Sequence, residues 1–480
     1  MNTYAQRSQR YQKKSPNYLL WIITILFALI LMCGGTYVVC KIVQEKQIQA
    51  QIDTAMATLE TQIQKEQTKN TLTTKKIKEK HAHTTSILYL PKKGQEIPFD
   101  VSEKSFNKLI AAEKKKLKDT RQSVIVGKVT NEALSKQLGA YSLKIDSYIW
   151  DAQHKQFIQQ PEVLKQSMYY QKDSGKAVSG KQVVASEANL LGIQQVIQQK
   201  ILDQSKDPKK IIDSVLNLPR ISLDEHLIYH PDTLEVELPK NDTGVTKISL
   251  PYAEIQGFIQ QDLVDPQYLK ANASPLSDDK KYIALSFDDG PNPETTPELL
   301  KILDEKNVTA TFFMLGQNAE AYPDVVKQVY DHGHIIGNHS YSHPQLTTLS
   351  PDELEQQIKQ TDKAIFEACG SLPRILRPPY GAIDANTANV IGKPIIQWDI
   401  DSYDWESKNT DATIQQINQT VVPGGIILMH DIHPTTIAAI GAVIDNLRAS
   451  GYEIVTTEQI LSNQTKPLYQ YFGQGDAREI

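Results

Sequence analysis

Seven short apolar runs alternate with helical segments from residue 281 onward, and this alternation constrains the fold more than any other feature of the chain. The runs are YIALSF, VTATFFM, HIIGN, RILRPP, PIIQWDI, GIILMH and YEIVTT. Repeated βα units predict a parallel sheet. Because the region is shorter than the ~250 residues of a complete eight-fold barrel, we expect an α/β fold, a distorted (β/α) barrel over residues 281–463. Ser350 with Glu353 predicts a capped helix start inside this region.

Titratable residues follow several of these apolar runs. They are Asp288 and Asp289, His339 and His343, Arg377, Asp401 and Asp404, and His430. The carboxyl ends of barrel strands lie on one rim, where active sites of such barrels are built. Each cluster alone has a structural explanation, such as an acidic turn. Their shared position at one rim predicts an active site.

The segment HSYSH provides two possible metal ligands, His339 and His343, at spacing i, i+4. One helical turn would aim both imidazoles at a metal, and Pro344 requires that turn to end at His343. One carboxylate of the Asp pair completes a ligand set with an open fourth position, as in catalytic zinc sites, and the other remains as a base. The same set also serves iron in oxygenases. The spare carboxylate and the βα pattern favour hydrolysis.

The N-terminal part of the chain has no charged side chain from Pro16 to Cys40. Residues 18–40 are long enough to span a bilayer as a transmembrane helix. The basic residues in segment 1–17 predict that this segment is cytoplasmic and that the rest of the chain is extracellular. A cleaved signal peptide is the alternative, but the stretch is long and has no A-x-A site. We expect a retained single-pass membrane anchor.

Composition excludes two classes of partner and site. The net charge of −5 over 480 residues provides no basic field for a nucleic acid, so we expect no nucleic-acid partner. Three cysteines, two of them in the apolar stretch, cannot build a disulfide framework or a cysteine zinc site. The sequence makes no prediction about the oligomeric state.

Between the anchor and the barrel the chain shows two further patterns. Residues 41–83 have apolar side chains at spacings of three and four and a Lys-rich end, which predicts a helical stalk, possibly paired with a partner, and a solvated linker. Residues 84–265 predict an α+β middle region of one or two small domains, with a hairpin formed by TLEVELP and VTKISLPY. Residues 266–280 have linker composition, and residues 464–480 are assigned to a C-terminal tail.

Five motifs of residues 281–463 resemble those of the polysaccharide deacetylase family, the NodB-homology domain of carbohydrate esterase family 4. They are SFDDG, HSYSH, RPPYG, DSYDW and LMH. The order of anchor, stalk, middle region and catalytic domain resembles that of streptococcal-type peptidoglycan N-acetylglucosamine deacetylases. The resemblance implies a metal-dependent N-deacetylase that acts on the glycan strands of peptidoglycan, with lysozyme resistance as the expected consequence. Ser286 replaces the threonine that is common in the family.

The resemblance also implies a role for each site residue. The catalytic residues would be Asp288 as general base, Arg377 as its partner, His430 as general acid and Asp404 as the group that orients His430. The metal ligands would be Asp289, His339 and His343, with Zn²⁺ as the expected ion and Co²⁺, Ni²⁺ or Mn²⁺ compatible with the same donors. The substrate-binding residues would be Tyr380, through its backbone N–H, and Trp405 and Leu428, which would line a pocket for the acetyl methyl group. His433 is a competing acid candidate.

Two alternatives stay open. The substrate could be another N-acetylglucosamine polymer, such as poly-N-acetylglucosamine or chitin oligomers. The barrel could also be a non-catalytic module that binds wall glycan, although binding alone does not need paired acids, bases and metal ligands.

Overall fold

The computed structural model describes residues 18–67, 74–91, 103–117, 122–134, 137–161, 164–223, 227–271, 276–277, 279–462 and 464–480. The chain divides into two compact units. The first unit lies within residues 1–133 and 139–168, and the second within residues 134–138 and 169–480. The predicted cytoplasmic segment 1–17 is outside the described residues.

Helix α1 (Tyr18–Gln67) continues without interruption from the apolar stretch into the first unit. Within the part of the chain that the structure describes, it is the one helix long and apolar enough to cross a membrane. The side chains of residues 21–50 are exposed. An exposed apolar surface of this length is typical of a membrane anchor or a signal helix.

The apolar stripe on the second half of α1 packs against the chain's own sheet. Leu59 and Ile63 are buried in one cluster with Ile87 and Val124. This corrects the prediction of a stalk paired with a partner, because the sheet of the same unit covers the stripe. Helix α1 covers the predicted stalk as far as Gln67, and residues 68–73 lie outside the described residues.

The Lys-rich segment predicted as a solvated linker forms a strand, β1 (Thr74–His81). It pairs antiparallel with β2 (Thr84–Pro91) along its full length. Lys76 and Lys78 form ion pairs with Glu60 of α1. The prediction from local composition was wrong because this strand is held by pairing and by charges that are distant in sequence.

The first unit also contains one more helix and the strands that complete its sheet, the last of which extends into the second unit. They are α2 (Glu103–Lys116), β3 (Ser123–Ala133), β4 (Leu138–Asp151), β5 (Gln156–Gln159) and β6 (Leu164–Gln171). The strand order is β1-β2-β3-β4-β6, with β5 also paired to β4. The division between the two units falls inside β6.

The second unit begins with a layer of short strands and helices. They are β7 (Ala177–Val178), α3 (Gly180–Val184), α4 (Glu187–Gln204), α5 (Pro208–Leu216), β8 (Leu227–Tyr229), β9 (Thr233–Glu237), β10 (Lys247–Pro251) and α6 (Tyr252–Ile255). The predicted hairpin is confirmed as the antiparallel pair β9–β10, with Leu234 opposite Leu250.

The predicted boundary between a middle region ending at 265 and a catalytic domain starting at 281 does not separate compact units. Phe366 and Leu372 are buried in the same apolar cluster as the side chains of α4 and α5. Residues 169–271 therefore share a core with the barrel region, and only the earlier part of the predicted middle region belongs to the unit of α1. Burial between segments distant in sequence decides this division.

The barrel strands are β11 (Lys281–Asp288), β12 (Thr311–Met314), β13 (Ile335–Asn338), β14 (Ile395–Ile396), β15 (Ile400–Asp401), β16 (Ile426–His430) and β17 (Tyr452–Val455). Parallel pairing gives the order β13-β12-β11-β16-β15, and β17 pairs with the first half of β11. Bridges from Asn338 to Leu376 and from Leu376 to Ile395 extend the wall. The α/β fold with a distorted barrel is confirmed, and the very short β14 and β15 account for the distortion.

Helices connect these strands and cover the barrel. They are α7 (Thr295–Lys306), α8 (Gly316–Ala321), α9 (Pro323–Asp331), α10 (Pro351–Cys369), α11 (Ala385–Ile391), α12 (Asp404–Ser407), α13 (Thr410–Thr420), α14 (Pro434–Ala449) and α15 (Thr457–Ile460). The capping box predicted at Ser350 and Glu353 is confirmed at the start of α10.

The segment 464–480, predicted as a tail, adds a hairpin to the barrel. Its strands are β18 (Tyr469–Gly473) and β19 (Asp476–Glu479), and β18 pairs parallel with β14. Tyr471 is buried in this arrangement. The tail prediction was wrong because β18 pairs with β14, which is distant in sequence.

Candidate active site

The predicted site residues lie at or just after strand ends of the barrel. Asp288 ends β11, His339 follows β13, Arg377 follows the bridged Leu376, Asp404 begins α12 after β15, and His430 ends β16. The parallel register places Asp288 directly opposite His430 on neighbouring strands. One rim therefore holds both acidic and basic groups, as expected for parallel strands.

Three of these residues form a set of possible metal ligands. Asp289 Oδ1 lies 3.5 Å from His339 Nε2 and 3.5 Å from His343 Nε2. This oxygen is buried and has no hydrogen-bond partner within the described chain. Ligands bound tetrahedrally at ~2.0–2.1 Å lie about 3.4 Å apart. The spacing of the donors and the unpartnered oxygen fit a single divalent ion.

The tautomer of His339 is set by its other nitrogen. Nδ1 lies 2.7 Å from the backbone carbonyl oxygen of Arg377 and donates its proton there. The lone pair of Nε2 is then directed at Asp289, as in metal sites where a backbone carbonyl orients the ligand. Burial lowers the pKa of His339 to about 3. The ring is therefore neutral, which is the form that binds metals.

The loop from His339 to His343 is not the helical turn that the spacing predicted. Ser340 and His343 adopt left-handed backbone conformations, with φ of 67° and 63°. Ser340 Oγ accepts from the His343 N–H, and Gln357 Oε1 accepts from the N–H groups of Tyr341 and Ser342. Side-chain acceptors thus satisfy backbone donors that a helix would have paired internally. The two imidazoles still converge, but through a tight loop.

Asp288 and Arg377 form a buried ion pair beside the metal set. Arg377 Nη1 donates to Asp288 Oδ1 at 2.8 Å, and the guanidinium is fully buried. Burial raises the pKa of Asp288, and the positive charge of Arg377 opposes this shift. The second carboxylate oxygen, Oδ2, lies 3.7 Å from His339 Nε2. Arg377 thus fixes one oxygen while the other lies close to the candidate metal position.

His430 has a carboxylate partner. Its Nδ1 lies 2.8 Å from Asp404 Oδ1, and Asp404 Oδ2 accepts from the His430 backbone N–H and from Thr436 Oγ1. Burial lowers the pKa of His430, but the hydrogen bond and charge of Asp404, with help from Asp288 and Asp289, outweigh it and raise the pKa to about 9. The imidazolium is therefore the form present at neutral pH.

The three predicted substrate-binding residues occupy different positions. Tyr380 has a left-handed φ of 62°, and its ring contacts the ring of His343 with centroids 4.7 Å apart. Trp405 is half exposed, and its Nε1 lies 3.4 Å from Asp401 Oδ1. Leu428 is buried in β16 beside Ser286 and Asp401. His433, the competing acid candidate, precedes α14, and its ring lies beside that of His430 with centroids 6.0 Å apart. Burial lowers the pKa of His433, which makes it a weaker candidate for the imidazolium than His430.

Sequence analysis missed several residues that support the site. Ser286 accepts from Arg377 Nη1 at 2.9 Å and donates to the carbonyl of Ile427. Asp431 is buried, accepts from Thr296 Oγ1, and packs so closely on Gly290 that a Cβ there would meet its carboxylate at 2.4 Å. The position of Asp431 next to His430 at a strand end was the signal that could have identified it. Thr436 has no comparable signal in the sequence.

Two family models match the chain. The model described as polysaccharide deacetylase matches residues 276–394, and the model described as peptidoglycan GlcNAc deacetylase N-terminal domain matches residues 57–272. The second match spans the predicted stalk from residue 57 onward, the predicted middle region and the division between the two units.

Three relatives indicate how far the similarity extends. The chain is 29% identical to the Listeria monocytogenes peptidoglycan-N-acetylglucosamine deacetylase PgdA over 82% of this chain and 86% of that protein. It is 34% identical to a Bacillus cereus peptidoglycan-N-acetylglucosamine deacetylase over 48% of this chain and 80% of that protein. It is 35% identical to an Azorhizobium caulinodans chitooligosaccharide deacetylase over 38% of this chain and 95% of that protein. With the metal set, the Asp288–Arg377 pair and the His430–Asp404 pair at one rim, these similarities show that the chain belongs to the polysaccharide deacetylase family.

Proposed function

We propose that this protein is a membrane-anchored, metal-dependent deacetylase that removes acetyl groups from N-acetylglucosamine residues of peptidoglycan on the outer side of the cell membrane. The single observation that supports it most is the joint presence, at one rim, of a possible metal ligand set, a buried carboxylate and a partly buried imidazolium. A module that only binds glycan would not need an imidazolium held beside a carboxylate. A hydrolase needs both a proton acceptor and a proton donor.

The proposed ion is Zn²⁺, held by Asp289, His339 and His343. When bound, the ion supplies Lewis acidity to the amide carbonyl and makes a nearby water more acidic. The set of two imidazoles and one carboxylate also suits Co²⁺, Ni²⁺ or Mn²⁺. Family membership favours hydrolysis over the iron oxygenase that the same donors permit.

Asp288 is the proposed general base. One of its oxygens is held by Arg377, so the other oxygen keeps a fixed direction and can accept a proton from water. A carboxylate held in place by a buried guanidinium loses little entropy when it reaches the transition state. Arg377 is therefore a positioning residue, supported by its own hydrogen bonds to Ser286 and to the carbonyls of Ile396 and Gln397.

His430 is the proposed general acid. An amine leaves an amide carbon poorly unless its nitrogen is protonated, and the raised pKa of about 9 keeps a proton available on His430. Asp404 orients the ring through Nδ1, so Nε2 is the atom left to donate. The position of His430 opposite Asp288 places acid and base on neighbouring strands.

The remaining residues are proposed to bind the acetyl group. The backbone N–H of Tyr380 would donate to the negative oxygen that develops on the acetyl carbon. Trp405 and Leu428 would line the pocket for the acetyl methyl group. A small apolar pocket of this kind selects acetyl over longer acyl chains by steric exclusion.

Peptidoglycan is favoured as the substrate by the extent of similarity. The Listeria relative, a peptidoglycan-N-acetylglucosamine deacetylase, matches 82% of this chain, including the region before the barrel. The chitooligosaccharide deacetylase matches 38%, which is less than the second unit alone. The exposed apolar helix α1 would hold the enzyme at the membrane surface next to the wall. Lysozyme resistance is the expected consequence.

Acetate release by the full-length chain in membrane vesicles tests this proposal. We expect acetate from purified N-acetylated peptidoglycan when Zn²⁺ is supplied, and muropeptides that have each lost one acetyl group by mass spectrometry. The Asp288→Asn variant should bind the same glycan and release no acetate above background. A wild-type protein that binds peptidoglycan but releases no acetate with any of the four metals would overturn the assignment.

Chitin oligomers are the second candidate substrate, because the Azorhizobium relative is covered over nearly its whole length. A parallel assay with chitin tetramers separates the two. Higher kcat/KM on chitin tetramers than on peptidoglycan fragments of equal length would reverse the preference proposed above.

A further inference from the structure

The loop of residues 339–343, which bears two of the proposed metal ligands and is named the metal loop, is held in place by hydrogen bonds of Asn338. Asn338 is the residue directly before His339. Asn338 is fully buried at the end of β13. Its Oδ1 accepts from the backbone N–H of Ser340 at 2.8 Å, and its Nδ2 donates to Asp362 Oδ1 at 2.8 Å and to the carbonyl of Ile358 at 3.0 Å. The amide therefore links the left-handed Ser340 of the loop to helix α10.

Asp362 in turn forms a buried ion pair. Its Oδ2 lies 2.9 Å from Lys393 Nζ, and both side chains are more than nine-tenths buried. Lys393 Nζ also donates to the carbonyl of Pro373 at 2.6 Å. Buried ion pairs contribute little net stability, because desolvation of both charges offsets their attraction. What this pair does provide is a fixed direction for Asp362 Oδ1, the acceptor of Asn338.

The segment that bears Lys393 is held by the layer before the barrel. Gln195 Nε2 of α4 donates to the carbonyl of Gly392 at 2.9 Å. Arg220 Nη1 donates to Asn389 Oδ1 at 2.9 Å, and its Nη2 donates to the carbonyl of Val390 at 3.2 Å. These contacts fix the end of α11 and the residue that precedes Lys393. All of the groups belong to the second compact unit.

We propose that Asp362 and Lys393 are positioning residues for the metal loop, and that the layer around α4 acts on the metal site through them. The route runs from Gln195 and Arg220 to Lys393, then to Asp362, Asn338 and the loop that holds His339. It gives the region before the barrel a function in metal binding in addition to any role as a spacer. The inference rests on the proposed function, because it assumes that Asp289, His339 and His343 bind a divalent ion.

Cobalt titration of the full-length protein in detergent tests the first step, with visible absorbance of bound Co²⁺ as the readout. The double variant Asp362→Leu/Lys393→Met removes both charges and the acceptor of Asn338. We expect its Co²⁺ affinity to fall about 10- to 100-fold, the usual cost of losing a group that orients a ligand. Asp362→Asn keeps an oxygen for Asn338 and should retain more affinity than the double variant.

The exposed pair Lys363–Asp213 provides a matched control. It also joins α10 to the preceding layer, with an Nζ–Oδ2 distance of 2.7 Å, but its side chains are 35% and 68% exposed. Lys363→Met/Asp213→Leu should leave Co²⁺ affinity unchanged within about twofold. A loss equal to that of Asp362→Leu/Lys393→Met would contradict a specific route and overturn the inference.

Arg220→Met tests the second step and keeps the inference falsifiable if the double variant does not fold. Changes along a coupling network shift binding by about two- to thirtyfold, and we expect a loss of Co²⁺ affinity in that range. Unchanged affinity in Arg220→Met, or in a folded Asp362→Leu/Lys393→Met, overturns the inference and leaves the proposed function standing. Absence of Co²⁺ and Zn²⁺ binding by the wild-type protein would instead overturn the proposed function.

Discussion

Two histidines at the same rim, His339 and His430, differ in charge: His339 is neutral and His430 is positively charged at neutral pH. His339 and His430 each use Nδ1 as a donor, His339 to the carbonyl of Arg377 and His430 to the carboxylate of Asp404. Burial lowers the pKa of His339 to about 3, whereas the pKa of His430 is raised to about 9, because Asp404 outweighs the effect of burial. The acceptor at Nδ1, more than the depth of burial, separates the two rings.

The difference between these two pKa values explains how one barrel rim can hold a proposed metal ligand and a proposed proton donor together. A neutral ring with a free Nε2 lone pair can bind a divalent ion, and a charged ring with a proton on Nε2 can release it to a leaving group. Asp404 stays ionised because His430 and Thr436 donate to it, and its pKa is lowered despite the opposing effect of burial. The two functions need no difference in residue type.

Removing a proposed metal ligand tests the neutral side of the comparison and has the largest expected effect. In Asp289→Asn the amide replaces the charged oxygen that faces both imidazoles. We expect loss of Zn²⁺ binding and a fall in kcat/KM of about a thousandfold or more, since the ion is worth several kcal/mol. Acetate release and metal analysis of the purified variant measure both. Asp324→Asn, at an exposed site on α9, is the control and should match wild type.

Removing the carboxylate of Asp404 tests the other half of the comparison, the positive charge of His430. In Asp404→Asn, burial of His430 is no longer opposed by a hydrogen-bonded charge, so its pKa should fall below its present value of about 9. We expect a loss of kcat of about 10²- to 10⁴-fold, the range of general acid catalysis. The wild-type rate should decline as pH rises through about 9, and that decline should move to lower pH in the variant. A pH–rate profile with an unmoved alkaline limb would rule out His430 as the acid.

Arg377 is a common neighbour of the two sides and gives a smaller effect. Its carbonyl accepts from His339, and its guanidinium holds Asp288. Arg377→Lys keeps the backbone and one positive charge but loses the fork that also bonds Ser286 and two carbonyls. We expect kcat to fall about 10- to 100-fold with little change in Zn²⁺ affinity. A large loss of metal affinity would mean that the side chain, in addition to the carbonyl, sets His339.

The fold was predictable where its signals are local. The apolar runs gave the parallel strands, and Ser350 with Glu353 gave the start of α10. The division into units was not predictable, because it depends on Phe366 and Leu372 joining a core formed by residues about 170 positions earlier along the chain. The prediction of a solvated linker for the Lys-rich strand β1 was wrong for the same reason, because Glu60 and β2 hold this strand in place.

The site was predictable as a set of residues but not as a geometry. The strand-end rule alone predicts that Asp288, His339 and His430 lie on one rim. The left-handed loop was not predictable, because it depends on acceptors such as Gln357 that lie beyond the motif. The opposite pKa shifts of the two histidines likewise follow from contacts that only the folded chain brings together.

The pH dependence of stability sharpens the comparison and is the smallest effect. The folded pKa of His430 is raised above its unfolded value of ~6.5, so its contribution is fully present below ~6.5 and is lost as pH rises through about 9. That contribution is on the order of 3 kcal/mol. Melting temperatures of metal-free wild type and His430→Gln, measured from pH 6 to 10, should therefore converge as pH rises. In an Asp404→Asn background the same pair of proteins should converge much less, because the hydrogen-bonded carboxylate that raises the pKa of His430 most is then absent. Parallel curves for wild type and His430→Gln, both with Asp404 in place, would mean that the carboxylate does not separate His430 from His339.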